Sequence, residues 1–137
     1  MIRATIFFLL FYTSCINSFD PLQSELWELS STYGYMTQTE QDASELPYAE
    51  TVEFVSDGMF LKSRTIQNET EVLAGEWTTE ERDGREGYRV VYPEDHPFIQ
   101  NCTLAPEEFY FIREGLLIQS DFTPCDGPEY RYARVGE

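Results

Sequence analysis

Residues 102–135, CTLAPEEFYFIREGLLIQSDFTPCDGPEYRYARV, decide the fold class. Two apolar runs, 109–112 and 116–118, meet at Glu114-Gly115. Asp126-Gly127-Pro128 then follows Cys125, and an alternation of Tyr130, Tyr132 and Arg134 closes the stretch. A run of strand formers, a tight turn, a second run, a turn and a third run describe an antiparallel meander. The same grammar extends upstream. Residues 26–35 place Trp27, Leu29, Ser31 and Tyr33 at a spacing of two, which predicts a first strand with those four on one face. Residues 36–47 read as a polar, acidic loop. Strands are expected over 50–55 and 59–66, joined at Ser56-Asp57-Gly58. A three-residue loop with Gly58 in the left-handed conformation pairs Phe54 with Phe60, and is preferred to a two-residue turn because it sets both rings on one face. Further strands are expected over 72–79 and 87–92, with turns at Gln67-Asn68-Glu69 and Asp83-Gly84. No segment of length carries the helical period.

Eight short antiparallel strands in a chain of this size predict an all-β, eight-stranded up-and-down barrel, with a two-sheet sandwich as the rival. Closure removes the exposed edges that an open sheet would have to protect. A barrel of this size is wide enough to be filled by side chains or to hold one small ligand.

The N-terminal sequence MIRATIFFLLFYTS, residues 1–14, reads as an export signal, with Arg3 as the positive region and residues 4–12 as the apolar run, which is too short to span a bilayer. Thr13-Ser14-Cys15 resembles the bacterial lipobox, with Tyr12 where that motif has Leu. The resemblance implies lipid attachment at Cys15. Ordinary cleavage near Ser18 is the alternative. Residues 15–24 read as a tether and 25–137 as the domain. Of the three cysteines, Cys102 and Cys125 can pair in an oxidising compartment, which leaves Cys15 for the lipid. A metal site built on those two thiols would lack a His or a third Cys.

The chain carries 9 basic and 25 acidic residues, a net charge of −16, one unit more negative once Arg3 is removed. Such a surface repels nucleic acid and anionic headgroups and attracts basic proteins or cations. Aromatic residues at 15% argue against disorder.

Taken together, the lipobox-like start, Trp27, the stretch from Phe54 to Phe60, Gly75-Glu76-Trp77 and the closing residues 126–135 resemble the bacterial lipocalin-like lipoproteins of Gram-negative envelopes. Lipocalins carry Gly-x-Trp at the first strand. Here Glu25 holds the Gly position, so Trp27 alone carries over, and the middle Thr-Asp-Tyr motif is not found. The resemblance implies an Arg near the end of the last strand stacked on that Trp, a place that Arg134 fills, with Arg131 second. It also implies an exported barrel in the cell envelope, anchored to the membrane by lipid, binding a small apolar ligand. Tyr33, Phe54, Phe60, Trp77 and Tyr132 are the expected lining. No cofactor or metal is expected.

Catalytic candidates are sparse. His96, in Glu94-Asp95-His96-Pro97, has no nucleophile motif beside it and reads as an exposed loop residue. Adjacent pairs such as Glu107-Glu108 point to opposite faces of a strand and cannot converge on one bond. Asp121, Asp126 and Glu129 lack the spacing of a calcium loop. Lys62 and Arg64 share the parity of Phe60. They would mark a solvent face or the barrel rim or, were that face internal, meet a ligand carboxylate. The expected function is therefore non-enzymatic binding of a small hydrophobic ligand. The alternatives are an acidic module that binds a basic protein, as the envelope inhibitors of lysozyme do, or a structural lipoprotein with a filled barrel.

Overall fold

The structure, a computed structural model, describes residues 24–136. The expected signal over 1–14, Cys15 and all of the tether but Ser24 lie outside the described residues. Nine strands follow in chain order: β1 Ser24–Gly34, β2 Thr39–Asp42, β3 Ala49–Val55, β4 Met59–Ile66, β5 Glu69–Arg82, β6 Arg85–Val91, β7 Glu107–Arg113, β8 Leu116–Gln119 and β9 Glu129–Arg134. Each of β3 to β9 pairs with its sequence neighbour, and β1 pairs with both β3 and β9. The ring β1-β3-β4-β5-β6-β7-β8-β9 is thus a closed eight-stranded antiparallel barrel, as expected. The addition is β2, a four-residue flap on the last residues of β1. Its sequence, TEQD, is exposed throughout, so no apolar alternation marks it.

Turn chemistry sets the registers. Gln67-Asn68, Asp83-Gly84 and Glu114-Gly115 each hold two consecutive positive φ angles, the two-residue hairpin turn whose twist matches the flanking strands. At Ser56-Asp57-Gly58 the longer loop forms, with Gly58 at φ +89°, and Phe54 stands opposite Phe60 as expected. Asp57 supports that turn by accepting the Met59 N–H at 3.0 Å.

The first strand departs from simple alternation. Leu29 pairs with Tyr132, but Ser31 pairs with Arg131 and Thr32 with Tyr130, so one extra residue bulges from β1. The Ser30 hydroxyl donates to the Arg131 carbonyl at the bulge. A bulge reverses which face later residues occupy. Trp27 and Leu29 point inward, whereas Tyr33 is turned to the outer surface, where the Arg131 guanidinium lies 4.7 Å from its ring centre. The expectation that Tyr33 shares the inner face is corrected by this single inserted residue.

The two ends of the barrel differ. One end is capped. Residues 92–106 cross it and bury Phe98, Ile99 and Gln100. The disulfide between Cys102 and Cys125, with Cα atoms 5.8 Å apart, ties this crossing to the short helical turn Thr123–Cys125. Constraining the unfolded chain in this way stabilises the fold by about 3 kcal/mol. The other end is ringed by the start of β1, the turn at 56–58, the β7–β8 turn and the end of β9. From that rim the β5–β6 hairpin runs on alone, because β5 pairs with β4 only as far as Glu76 and β6 pairs with β7 only from Gly87 onward.

This hairpin turns back across the outside of β7. Arg82 and Arg85 lie 4.5 and 4.0 Å from the ring centres of Phe109 and Phe111. Gly87 makes the approach possible, since a Cβ there would stand 2.3 Å from the Tyr110 carbonyl oxygen and 2.6 Å from Phe109 Cζ. The contact explains a second small core outside the barrel, formed by Phe109, Phe111 and Ile118.

Candidate functional site

The barrel interior is filled. In an antiparallel ladder, residues directly opposite share a face. The pairs Phe54–Phe60, Val52–Lys62, Glu50–Arg64, Trp77–Val90, Tyr88–Tyr110, Leu117–Tyr132 and Tyr110–Gln119 therefore project into one space. Phe60, Lys62, Tyr110, Leu117, Gln119 and Tyr132 are completely buried. Ring contacts run through the centre, with Phe54–Phe60 at 5.0 Å, Phe60–Tyr110 at 5.4 Å and Tyr110–Tyr132 at 6.1 Å.

Toward the capped end the filling is ionic. Lys62 Nζ donates to Glu108 Oε2 at 2.7 Å and to the Phe98 carbonyl at 3.1 Å, and stands 3.9 Å from Glu50. Glu108 also accepts from the Tyr92 and Tyr110 hydroxyls and from the Gln100 N–H. Glu50 accepts from the Tyr132 hydroxyl at 2.6 Å and from Arg64 Nε at 2.8 Å. The Arg64 guanidinium is held between the rings of Tyr48 and Phe98, at 4.0 and 4.5 Å. Two cations and two carboxylates balance, and the tyrosines supply the hydrogen bonds that water would otherwise give. Burial first, and then the charge of Glu108 or Glu50, holds the Tyr92, Tyr110 and Tyr132 hydroxyls far above the usual phenol range, so they remain donors. Burial lowers the proton affinity of Arg64, but the Glu50 carboxylate outweighs it and the net shift is upward.

Lys62 thus departs from the expected solvent face or rim. The carboxylates it meets are the protein's own. Glu108 enters the barrel while Glu107 stays outside with Arg89, 2.7 Å away, as the opposite facing of neighbouring residues requires.

Other candidates serve as struts. His96 is half-buried rather than exposed. Its Nδ1 accepts the Phe98 N–H, so Nε2 carries the proton and donates to Glu71 at 2.9 Å, pinning the capping crossing to β5. Of the three acids near Cys125, Glu129 is bound by Arg113 and Arg131. Burial alone would raise its pKa, but the Arg113 and Arg131 hydrogen bonds prevail and lower it. Asp121 accepts from the Phe109 N–H and lies 3.7 Å from Arg82. Its burial, the larger effect, lifts its pKa to about 6. Among the described residues no group of three potential metal ligands converges.

A concave surface of about 820 Å³ lies around the turn at 56–58, lined by Gly58, Met59, Gly75, Trp77 and Tyr92 with Asp57 and Glu76, and two more lie at the uncapped rim. One rim hollow, of about 210 Å³, is lined by Phe54, Trp77 and Tyr88 with Glu25 and Ser56. A second, of about 560 Å³, is lined by Thr79, Tyr88, Gly87 and Ile112 with Glu80, Glu81 and Glu86. The two share Tyr88. Trp77 is fixed by donating its indole N–H to the Val55 carbonyl at 2.8 Å, and it meets Phe54 and Tyr88 edge to face. Among the described residues, four carboxylates and no basic side chain line the two hollows. Glu80 is paired with Arg82 and Glu25 with Arg134, whereas Glu81 and Glu86 face each other directly across the hairpin and form no ion pair among the described residues.

Of the five residues expected to line a ligand site, Phe54, Phe60 and Tyr132 are core, Trp77 is half-buried at the rim and Tyr33 is outside. The closing pair comes together: Trp27 and Arg134 are opposite each other on β1 and β9, with the guanidinium carbon 5.9 Å from the indole centre. Sequence reading missed Glu50, Glu108, Tyr110 and the Glu81–Glu86 pair. Parity with Phe60 could have placed Lys62 inside, and the two-residue turn at Asp83-Gly84 sets Glu81 opposite Glu86. Comparison of the chain with protein-family models, curated proteins and solved structures finds no match.

Proposed function

We propose that this chain is an exported, non-enzymatic binding domain, related to the lipocalin-like lipoproteins it resembles and anchored to the cell envelope through Cys15, and that its target is a basic protein rather than a small apolar molecule. The filled barrel carries this reading. Ligand cavities for small molecules measure about 300–1,000 Å³ and are mostly apolar, but here rings and an ionic cluster occupy the corresponding space. The hollows of about 210, 560 and 820 Å³ are open surface depressions that each carry at least one carboxylate, not enclosed apolar cavities. A net charge of −16 would speed encounter with a cationic partner and deter acidic ones. The disulfide agrees with an oxidising compartment.

The test begins with a native mass spectrum of the protein purified from its host. A bare mass is expected, and the denatured mass should carry the diacylglyceryl group on Cys15. The purified domain is then titrated by calorimetry with a panel of basic proteins (lysozyme, cytochrome c, ribonuclease A) and with acidic proteins of similar size. Binding to at least one basic protein, weakening steeply from 20 to 200 mM salt, is expected. A reproducible adduct of a few hundred daltons would return the reading to a small-ligand carrier. Silence across the basic panel would remove the protein-binding reading.

A further inference from the structure

We infer that the acidic saddle at the uncapped rim, between the β5–β6 hairpin and the end of β7, receives an arginine side chain from a projecting loop of the basic partner. This rests on the function proposed above and locates its contact. Three observations converge on it. First, Glu81 and Glu86 are exposed and directly opposite on adjacent strands, and neither forms an ion pair among the described residues. Like charges in that register destabilise a hairpin, and a guanidinium set between them would turn the repulsion into two attractions. Second, the floor beside them is aromatic and apolar. Tyr88 and Ile112 line the same hollow, and Trp77 and Phe54 line the adjoining one across the Tyr88 ring. Arginine, a weakly hydrated planar cation, stacks on aromatic faces and bridges carboxylates, whereas an ammonium holds its water more strongly. Third, the shape is a pair of open, neighbouring hollows that share Tyr88 rather than a deep cavity. It fits one charged side chain with an apolar neighbour, the form in which a protein loop presents itself.

The geometry also explains why Glu81 and Glu86, unlike Glu80 and Glu25, are not neutralised from within. Arg82 and Arg85, the two cations nearest in sequence, are drawn to the opposite face of the hairpin by the rings of Phe109 and Phe111. The same turn-back that covers the outer aromatic pair leaves the carboxylates of Glu81 and Glu86 on the other face.

The experiment uses the two indole N–H signals of the folded domain, from Trp27 and Trp77, in a heteronuclear correlation spectrum. The probe is an acetylated, amidated peptide, Gly-Arg-Gly-Arg-Gly, at millimolar concentration, with Gly-Glu-Gly-Glu-Gly as the control. The Trp77 signal should shift saturably with the arginine peptide while that of the buried Trp27 stays in place. The double variant E81Q/E86Q should weaken binding by about fivefold to tenfold, in line with two lost exposed ion pairs. The variant E45Q/E94Q, which removes two exposed charges away from Trp77, should leave it within twofold. Equal weakening in both variants would show diffuse attraction and overturn the saddle while leaving a basic partner in place. An unmoved Trp77 signal, in a domain that still binds the basic proteins, would do the same. Failure of the peptide and of the whole basic panel would overturn both proposals.

Discussion

The two ends of this barrel handle charge in opposite ways. At the capped end Lys62, Arg64, Glu50 and Glu108 are almost wholly withdrawn from water, and every charge has an opposite charge beside it, with further hydrogen bonds around Lys62, Glu50 and Glu108 and two aromatic rings around Arg64. At the uncapped rim Glu81 and Glu86 stand in solvent, face each other and form no ion pair among the described residues. Desolvated charge is tolerated only when it is fully matched, so the capped cluster specifies how the strands and the crossing loop fit together. Solvated charge can remain unmatched at small cost and stays free to meet something else. Matched structural charge is concentrated at one end, and the proposed recognition surface lies at the other.

The strongest way to break the comparison is to unmatch the buried end. Replacing Lys62 by Met leaves Glu108 without its cation in a dry site, and unfolding in urea should show a loss of about 3–5 kcal/mol. The double variant Lys62→Met with Glu108→Gln should recover much of that loss, since the uncompensated charge goes with its partner. If the two single losses simply add, the cluster is not acting as a unit.

A smaller effect sharpens the boundary between the ends. Asp121 lies beside the disulfide loop, with a pKa of about 6 set first by burial and only partly offset by the Phe109 N–H and Arg82. Its folded pKa exceeds its ordinary value of 3.8. The group's contribution to stability is therefore complete below about pH 4 and is lost as pH rises through 6. After allowance for its partial exposure, that loss is about 1–2 kcal/mol. Asp121→Asn keeps an acceptor for the Phe109 N–H. Denaturation of the two proteins at pH 4.5 and 7.5 should show the variant gaining on the parent at the higher pH. An identical pH dependence would remove Asp121 from the account.

The smallest effect tests the rim. With no partner present, E81Q/E86Q should raise stability by about 0.2–0.5 kcal/mol, because a cross-strand repulsion is relieved. A loss of stability would mean that these carboxylates have a structural duty, which would weaken the contrast between the ends.

Much of the barrel was legible because it is local. Asp-Gly and Glu-Gly turns, period-two runs and the choice of a three-residue loop that sets Phe54 against Phe60 are all settled within a few residues. The rim could be read only halfway: Trp77 was singled out, but the turn-back of the hairpin depends on Gly87 meeting Phe109 and the Tyr110 carbonyl, which lie on another strand. Tyr33 was misplaced because one bulged residue near Ser30 inverts every later side chain of β1, and nothing in Ser30-Ser31-Thr32 announces it.

By itself the sequence determined an all-β antiparallel meander, the order of its eight main strands, two cysteines able to pair and a strongly acidic chain, because turn geometry, alternation and net charge are properties of neighbouring residues or of their sum. Only the tertiary structure decided whether the barrel is hollow. Lys62 in a strand normally signals solvent. It becomes a core residue here because Glu108, 46 positions away, and Glu50, on the neighbouring strand, arrive in the same dry space to match it. That compensation is a relation between distant segments, and no local pattern encodes it.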